Sequence, residues 1–159
     1  MKHLLHIVSA ATLAFVAIVC TGSATGADQA PQPPSTTFSM HAENNSKLEG
    51  VATVTDAGDA KHPAVSVTLL YANTMFIPET QYPTEIRLGH CGDVSALHAY
   101  PLNPVQSGRS STTIKGVTFA KLTAHPYSIN VHAANAIERY LSCGEIVPPP
   151  PPTPGPNLK

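Results

Sequence analysis

The sequence predicts an all-β protein, an antiparallel Greek-key β-sandwich of about seven to eight short strands. Three observations lead there. Apolar and polar residues alternate at a period of two through the middle of the chain, as half-buried strands require. Turn-forming residues punctuate those stretches: Asp56 to Asp59, Gly89 to Gly92, Ser107-Gly108 and Ala124-His125-Pro126. Helical periodicity is scarce between residues 37 and 147, where Ala133 to Tyr140 alone reads as one short helical turn.

The alternation places each strand. Leu48 to Thr55 is rich in Val and Thr, and Ser110 to Val117 has the same character. Val65, Val67, Leu69 and Tyr71 share one face, with Ser66 and Thr68 on the other. Ile86 and Leu88 alternate with Glu85 and Arg87. Ile129 and Val131 alternate with Ser128, Asn130 and His132. The predicted inward set is Val51 or Val54, Val65, Val67, Leu69, Ile86, Leu88, Ile114, Val117, Ile129, Val131 and Ile146.

The ends of the chain have a different composition. Met1-Lys2-His3 is a short basic start, and Leu4 to Cys20 follows without an Asp, Glu, Lys or Arg. Thr21 to Ala27 is small and polar. This is the order of a secretory signal peptide over residues 1–27, with cleavage expected after Ala27 and Ala24 as second choice. The apolar run is short of the ~20 residues that span a bilayer, so the mature chain is expected to have no transmembrane span and to be secreted or periplasmic. An uncleaved anchor is one alternative and a lipid anchor through Cys20 another. Val19 is bulky where a lipoprotein signal wants a small residue.

Residues 28–36 hold Pro31, Pro33 and Pro34 and read as a linker, leaving 37–147 as one domain. Residues 148–159 begin with five consecutive prolines. Proline has a fixed φ and no amide donor, so this tail is expected as a solvated polyproline II segment. It would serve as a spacer, or as a docking segment for an envelope layer or a proline-binding protein.

Cys20 leaves with the signal, and Cys91 and Cys143 remain as an even pair, read in an exported protein as a disulfide. Closing a loop of roughly 50 residues contributes about 4 kcal/mol by chain entropy. That is a large share of a small domain's net ~5–15 kcal/mol. Metal binding by the two thiolates is the weaker alternative, since there is no Cys-x-x-Cys.

The net charge of −1 and the scattered basic residues give no nucleic-acid footprint. There is no Gly-x-Ser-x-Gly elbow and no free mature cysteine, and Asp56 and Asp59 fall in a turn. The mature histidines are His41, His62, His90, His98, His125 and His132, none at close metal-ligand spacing. Met40-His41 could bind copper weakly. Asn44-Asn45-Ser46 matches a glycosylation sequon.

Several stretches taken together carry a resemblance. They are Pro83-Thr84-Glu85-Ile86-Arg87-Leu88-Gly89-His90-Cys91, Tyr100 to Val105, Ser107 to Ser110, Tyr127 to Ala133, and Arg139 to Ile146. Their order resembles copper–zinc superoxide dismutases and their short secreted bacterial (CHRD-like) relatives, over most of residues 48–147. The resemblance implies a superoxide-dismutase-like sandwich, of the immunoglobulin-like class, whose disulfide ties a long loop to the last strand. In that family both histidines of a His-x-His strand bind copper. Here Glu85 and Arg87 stand at those positions, while His132 matches a further copper ligand. The zinc ligands have no clear counterpart, since His98 is the one histidine between Cys91 and Ser110.

Residues two apart on a strand share a face, so Glu85 and Arg87 project together, away from Ile86 and Leu88. A guanidinium has no lone pair to give a metal. The expectation is therefore a degenerate metal site, in which a Glu85–Arg87 charge pair replaces copper and His132 stays as a packing or hydrogen-bonding residue. No cofactor, and an exported non-enzymatic protein with a binding or envelope-structural role, follow from that. The alternatives are a copper protein or dismutase with a site rebuilt from His90, His98 and His132, and an adhesive module on the proline-rich stalk.

Overall fold

The alternating stretches form an eight-stranded antiparallel sheet in a computed structural model of the chain, which describes residues 32–58, 62–72, 74, 80–93, 97–149 and 151. The N-terminal segment read as a signal peptide, with Cys20, and most of the proline-rich tail lie outside the described residues. The strands are β1 (Ser35–Ala42), β2 (Leu48–Thr55), β3 (Ala64–Tyr71), β4 (Tyr82–Leu88), β5 (His98–Val105), β6 (Arg109–Thr113), β7 (Tyr127–Ala133) and β8 (Ala136–Glu145). One short helix, α1 (Phe119–Ala124), precedes β7. Among the described residues no helix is long and apolar enough to cross a membrane.

The sheet runs β5-β4-β7-β8-β1-β2-β3-β6. Strands β4, β5 and β6 follow one another, and β7 returns to lie beside β4, which is a Greek key. The terminal strands β5 and β6 are joined by the tight turn Ser107-Gly108, both at positive φ (48° and 77°), with Gln106 and Arg109 bridged across it. Two left-handed residues in a two-residue loop suit the right-handed twist of a hairpin. Asn103 draws the two edges together: its backbone N–H donates to Thr112 Oγ1 at 2.8 Å and its Nδ2 to the Ser111 carbonyl at 2.7 Å. The sheet is thereby nearly closed on itself.

Inside it lie Phe38, Met40, Leu48, Ala52, Val54, Val65, Val67, Leu69, Ile86, Val105, Ile114, Val117, Ile129, Val131 and Ile146, among others. Most of the expected inward set is there. Leu88 is the exception at 42 % exposed, because it is the last residue of β4, where the sheet runs out. Of the pair left open, Val54 is buried and Val51 faces out.

Two local expectations change. The segment Ala133–Tyr140 is no helical turn: Ala134-Asn135 is the turn of the β7–β8 hairpin, and Ala136 onward is strand. The helix falls at Phe119–Ala124, where Thr118 accepts from the Lys121 N–H as N-cap and Phe119 and Leu122, three apart, bury one side. The first strand also takes in Ser35 and Thr36, which composition assigns to the linker, with Thr36, Phe38 and Met40 turned inward.

Strands β1 and β8 pair at only His41↔Cys143 and Ala42↔Ser142. Beyond that the register pairing stops, yet β1 stays pressed against Gly144, where a Cβ would come within 2.6 Å of both the Ser39 carbonyl oxygen and Met40 Sδ. The β1–β2 loop is tied to β8 by side chains: Asn44 Nδ2 donates to the Tyr140 carbonyl at 3.0 Å, and the Ser46 hydroxyl donates to the Leu141 carbonyl. Asn44 and Ser46 of the sequon thus serve as loop anchors.

Candidate functional site

Register decides which side chains meet. Ile86 pairs with Ile129 and both enter the core, so the flanking pairs Glu85↔Asn130 and Arg87↔Ser128 project from the outer face. Across β7, Asn130 opposes Cys143 and Ser128 opposes Glu145. Past a bulge, His132 opposes Tyr140. The outer face of this sheet therefore carries a polar band: Glu85 and Arg87, then Ser128, Asn130 and His132, then Tyr140.

This outer face is nonetheless covered. Every residue of β7 is buried, Ser128, Asn130 and His132 included. Cys91, just past the end of β4, is bonded to Cys143 on β8, with Cα atoms 5.9 Å apart. Since β7 lies between β4 and β8, the disulfide crosses over it. The Gly89 N–H donates to the Pro126 carbonyl at 2.7 Å, holding the loop after β4 down at its start.

Glu85 is the hub. Its Oε1 lies 3.0 Å from His132 Nε2 and 3.8 Å from Arg87 Nε, and its Oε2 is bonded to His98 Nδ1. His98 pairs with Arg87 in the β4–β5 register, and a bulge between Ile86 and Arg87 sets it where it reaches the carboxylate. Arg87 continues past Glu85 to donate to the Tyr140 hydroxyl, with its guanidinium carbon 5.6 Å from the Tyr140 ring centroid. The rings of Tyr140 and His132 sit 4.9 Å apart, tilted by 44°.

His132 has an acceptor at each nitrogen: the Glu85 carboxylate at Nε2 and the Ile137 carbonyl at Nδ1. The Ile137 carbonyl can only accept, so Nδ1 donates to it, and Nε2 is turned to the Glu85 carboxylate.

Glu85, Arg87 and His132 are thus brought together. His90, His98 and His132 are not. His98 and His132 meet on Glu85, whereas His90 lies next to the disulfide with its Nδ1 3.3 Å from Glu145 Oε1. Among the described residues no three His, Cys, Asp or Glu side chains are already arranged to hold a metal ion, and no buried side-chain polar atom lacks a partner. Sequence reading missed Tyr140, which closes the cluster. Only the β7–β8 bulge sets it opposite His132, and period-two counting cannot foresee a bulge.

Tyr127 opens β7 with its side chain covered. Its own burial, and then the Tyr100 phenol beside it, push its hydroxyl above the ordinary value of 10.0. The two rings are 6.2 Å apart.

Comparison with protein-family models, with curated proteins and with solved structures finds no match.

Proposed function

We propose that this chain is an exported, non-catalytic β-domain of the superoxide-dismutase-like kind, whose copper position is filled by its own charges and which acts in binding or envelope structure. One observation carries the reading: the Glu85 carboxylate is shared among Arg87, His132 and His98 while Arg87 is held against Tyr140. A permanent cation occupies the space between β4 and the end of β7, and the His132 nitrogens are both engaged. Copper would have to break the contact between His132 Nε2 and Glu85 and sit beside a guanidinium, which like-charge repulsion opposes. Export rests on the order of the N-terminal segments and on the disulfide, which persists in oxidising compartments.

Copper titration of the purified protein tests this. The expected result is no stoichiometric site that depends on His132, and no superoxide dismutation. A one-to-one copper site abolished by His132→Ala would overturn it.

A second reading has its own support. Glu85 bridges His98 and His132, so two imidazoles already approach one carboxylate. A copper-binding protein built on those three would lose its metal equally in His98→Ala and His132→Ala, and would gain affinity in Arg87→Ala.

A further inference from the structure

The outer face of β1, β2, β3 and β6 has a different chemistry. Phe38, Ala52, Val54, Val65 and Val67 point into the core, so the residues between them look outward. Register lines those residues up across the strands. One row is Thr37, Thr53, Ser66 and Ser111, with a hydroxyl on every strand. On one side of it run Ser35, Thr55, Ala64 and Thr113. On the other side run Ser39, Val51, Thr68 and Arg109. Nine of these twelve positions are Ser or Thr, and all twelve are exposed or half-buried. Arg109, at a corner, is the one charge among them.

The sequence accounts for the grid. Each strand carries a hydroxyl residue on both sides of an intervening one: Ser35-Thr36-Thr37, Thr53-Val54-Thr55, Ser66-Val67-Thr68 and Ser111-Thr112-Thr113. Threonine is stiff at χ1, so its hydroxyl keeps a set direction. The hydroxyls of Thr37 and Thr53 are already bonded to one another at 2.9 Å. Successive residues of a row are one strand apart, about 4.7–4.9 Å.

This composition narrows the ligand. A nucleic acid calls for many cations, and a membrane surface for an apolar face flanked by basic residues. A protein partner is usually anchored by aromatic residues, Met or Arg. The twelve positions hold one Arg and no aromatic, Met or carboxylate residue. What they hold is hydroxyls, each both donor and acceptor, and the hydroxyls of a neutral sugar match them in kind. A linear β-1,4-linked glycan advances about one ring over the spacing between strands, so a chain laid across the strands meets one hydroxyl of the row per ring.

We propose that the row of Thr37, Thr53, Ser66 and Ser111 is a track for a neutral, linear β-1,4-linked glycan running across the strands, with the flanking rows reaching the edges of its rings. This gives the binding role proposed above a class of ligand, and rests on that role, but it uses strands that take no part in the Glu85 cluster.

Chitohexaose and cellohexaose are the probes, each titrated into the purified, nitrogen-15-labelled protein and followed by NMR. At least one is expected to give saturable shifts at the amides of Thr37, Thr53, Ser66 and Ser111, with those of His98 and Ile137 unmoved. Thr53→Val and Ser66→Ala each remove a hydroxyl and keep the strand, and each should weaken binding about fivefold, the scale of one net hydrogen bond. Amide spectra like the parent's show that the variants fold. Binding of one probe alone names the sugar and supports the proposal. No saturable shift with either probe overturns it. So do shifts centred away from this row, or full affinity in both variants. A copper site that depends on His132 would sink the reading above without moving these shifts, whereas their absence together with an absence of copper binding would sink this proposal alone.

Discussion

Glu85 on β4 and His132 on β7 are diagonal neighbours across a strand pair, and they are joined by a 3.0 Å contact between Oε1 and Nε2 in an almost fully covered position. Glu85 is paired in register with Asn130, so its side chain leans one step along β7 to reach the histidine. That lean lets one carboxylate serve Arg87, His132 and His98 together.

Removing the hub should be costly. Glu85→Ala leaves Arg87 and His132 in place without their shared anion, and breaking a buried ion pair on one side costs about 3–5 kcal/mol. The Glu85 side chain retains 15 % exposure, so the lower end, about 3 kcal/mol, is expected in urea unfolding. Glu85→Gln should cost less, because an amide oxygen still accepts from one donor. Equal stability of Glu85→Ala and the parent would show that the cluster contributes nothing to the fold.

Tyr140 holds Arg87 in two ways, by its hydroxyl and by its ring. Tyr140→Phe removes the hydroxyl alone, and a hydrogen bond to a charged group is worth about 1.5–3 kcal/mol. The expected loss is about 1.5 kcal/mol by denaturant titration. Tyr140→Ala should lose more, because the packing against His132 goes as well. A double-mutant cycle with Arg87→Met should give non-additive losses.

The disulfide spans 52 residues and pins the loop after β4 over β7. Its removal in the paired Cys91→Ser, Cys143→Ser variant is expected to cost about 2–5 kcal/mol. The measurement is thermal unfolding with and without reductant. Reductant should lower the midpoint of the parent and leave that of the double variant unmoved. Faster amide exchange at Ser128 and Asn130 should accompany the loss.

Tyr127 sets an alkaline limit. Its folded-state pKa is raised above the 10.0 of an exposed phenol, chiefly by its own burial and then by Tyr100. A raised pKa means that the folded state keeps its proton when the unfolded state has released it. The stabilisation is complete below pH 10.0 and is lost as pH climbs from there through the folded value. Stability measured above pH 10.0 should fall less steeply in Tyr127→Phe than in the parent. Identical slopes would exclude the linkage.

The strands were legible because burial on one face imposes a two-residue period. Val65, Val67 and Leu69 can satisfy it in only one orientation, and the same holds for Ile129 and Val131. For the same reason the alternation already put Glu85 and Arg87 on a common outward face. The cysteine pair needed only parity, once Cys20 is set apart in the N-terminal segment. The β1 strand was harder to see, because Ser, Thr and a preceding proline cluster mask the inward Phe38 and Met40. The Phe119–Ala124 helix is a single capped turn and a half, too short for its period to stand out.

By itself the sequence determined an antiparallel β-domain, its crosslink and the common outward face of Glu85 and Arg87. Those follow from local pattern, which a chain carries residue by residue. Tertiary structure alone decided that Glu85 reaches His98 as well as His132, that Tyr140 closes over Arg87, and that His90 belongs with Glu145 instead. Each of these depends on a bulge, a strand order or a disulfide crossing, and such features arise only when distant segments pair and their registers lock together.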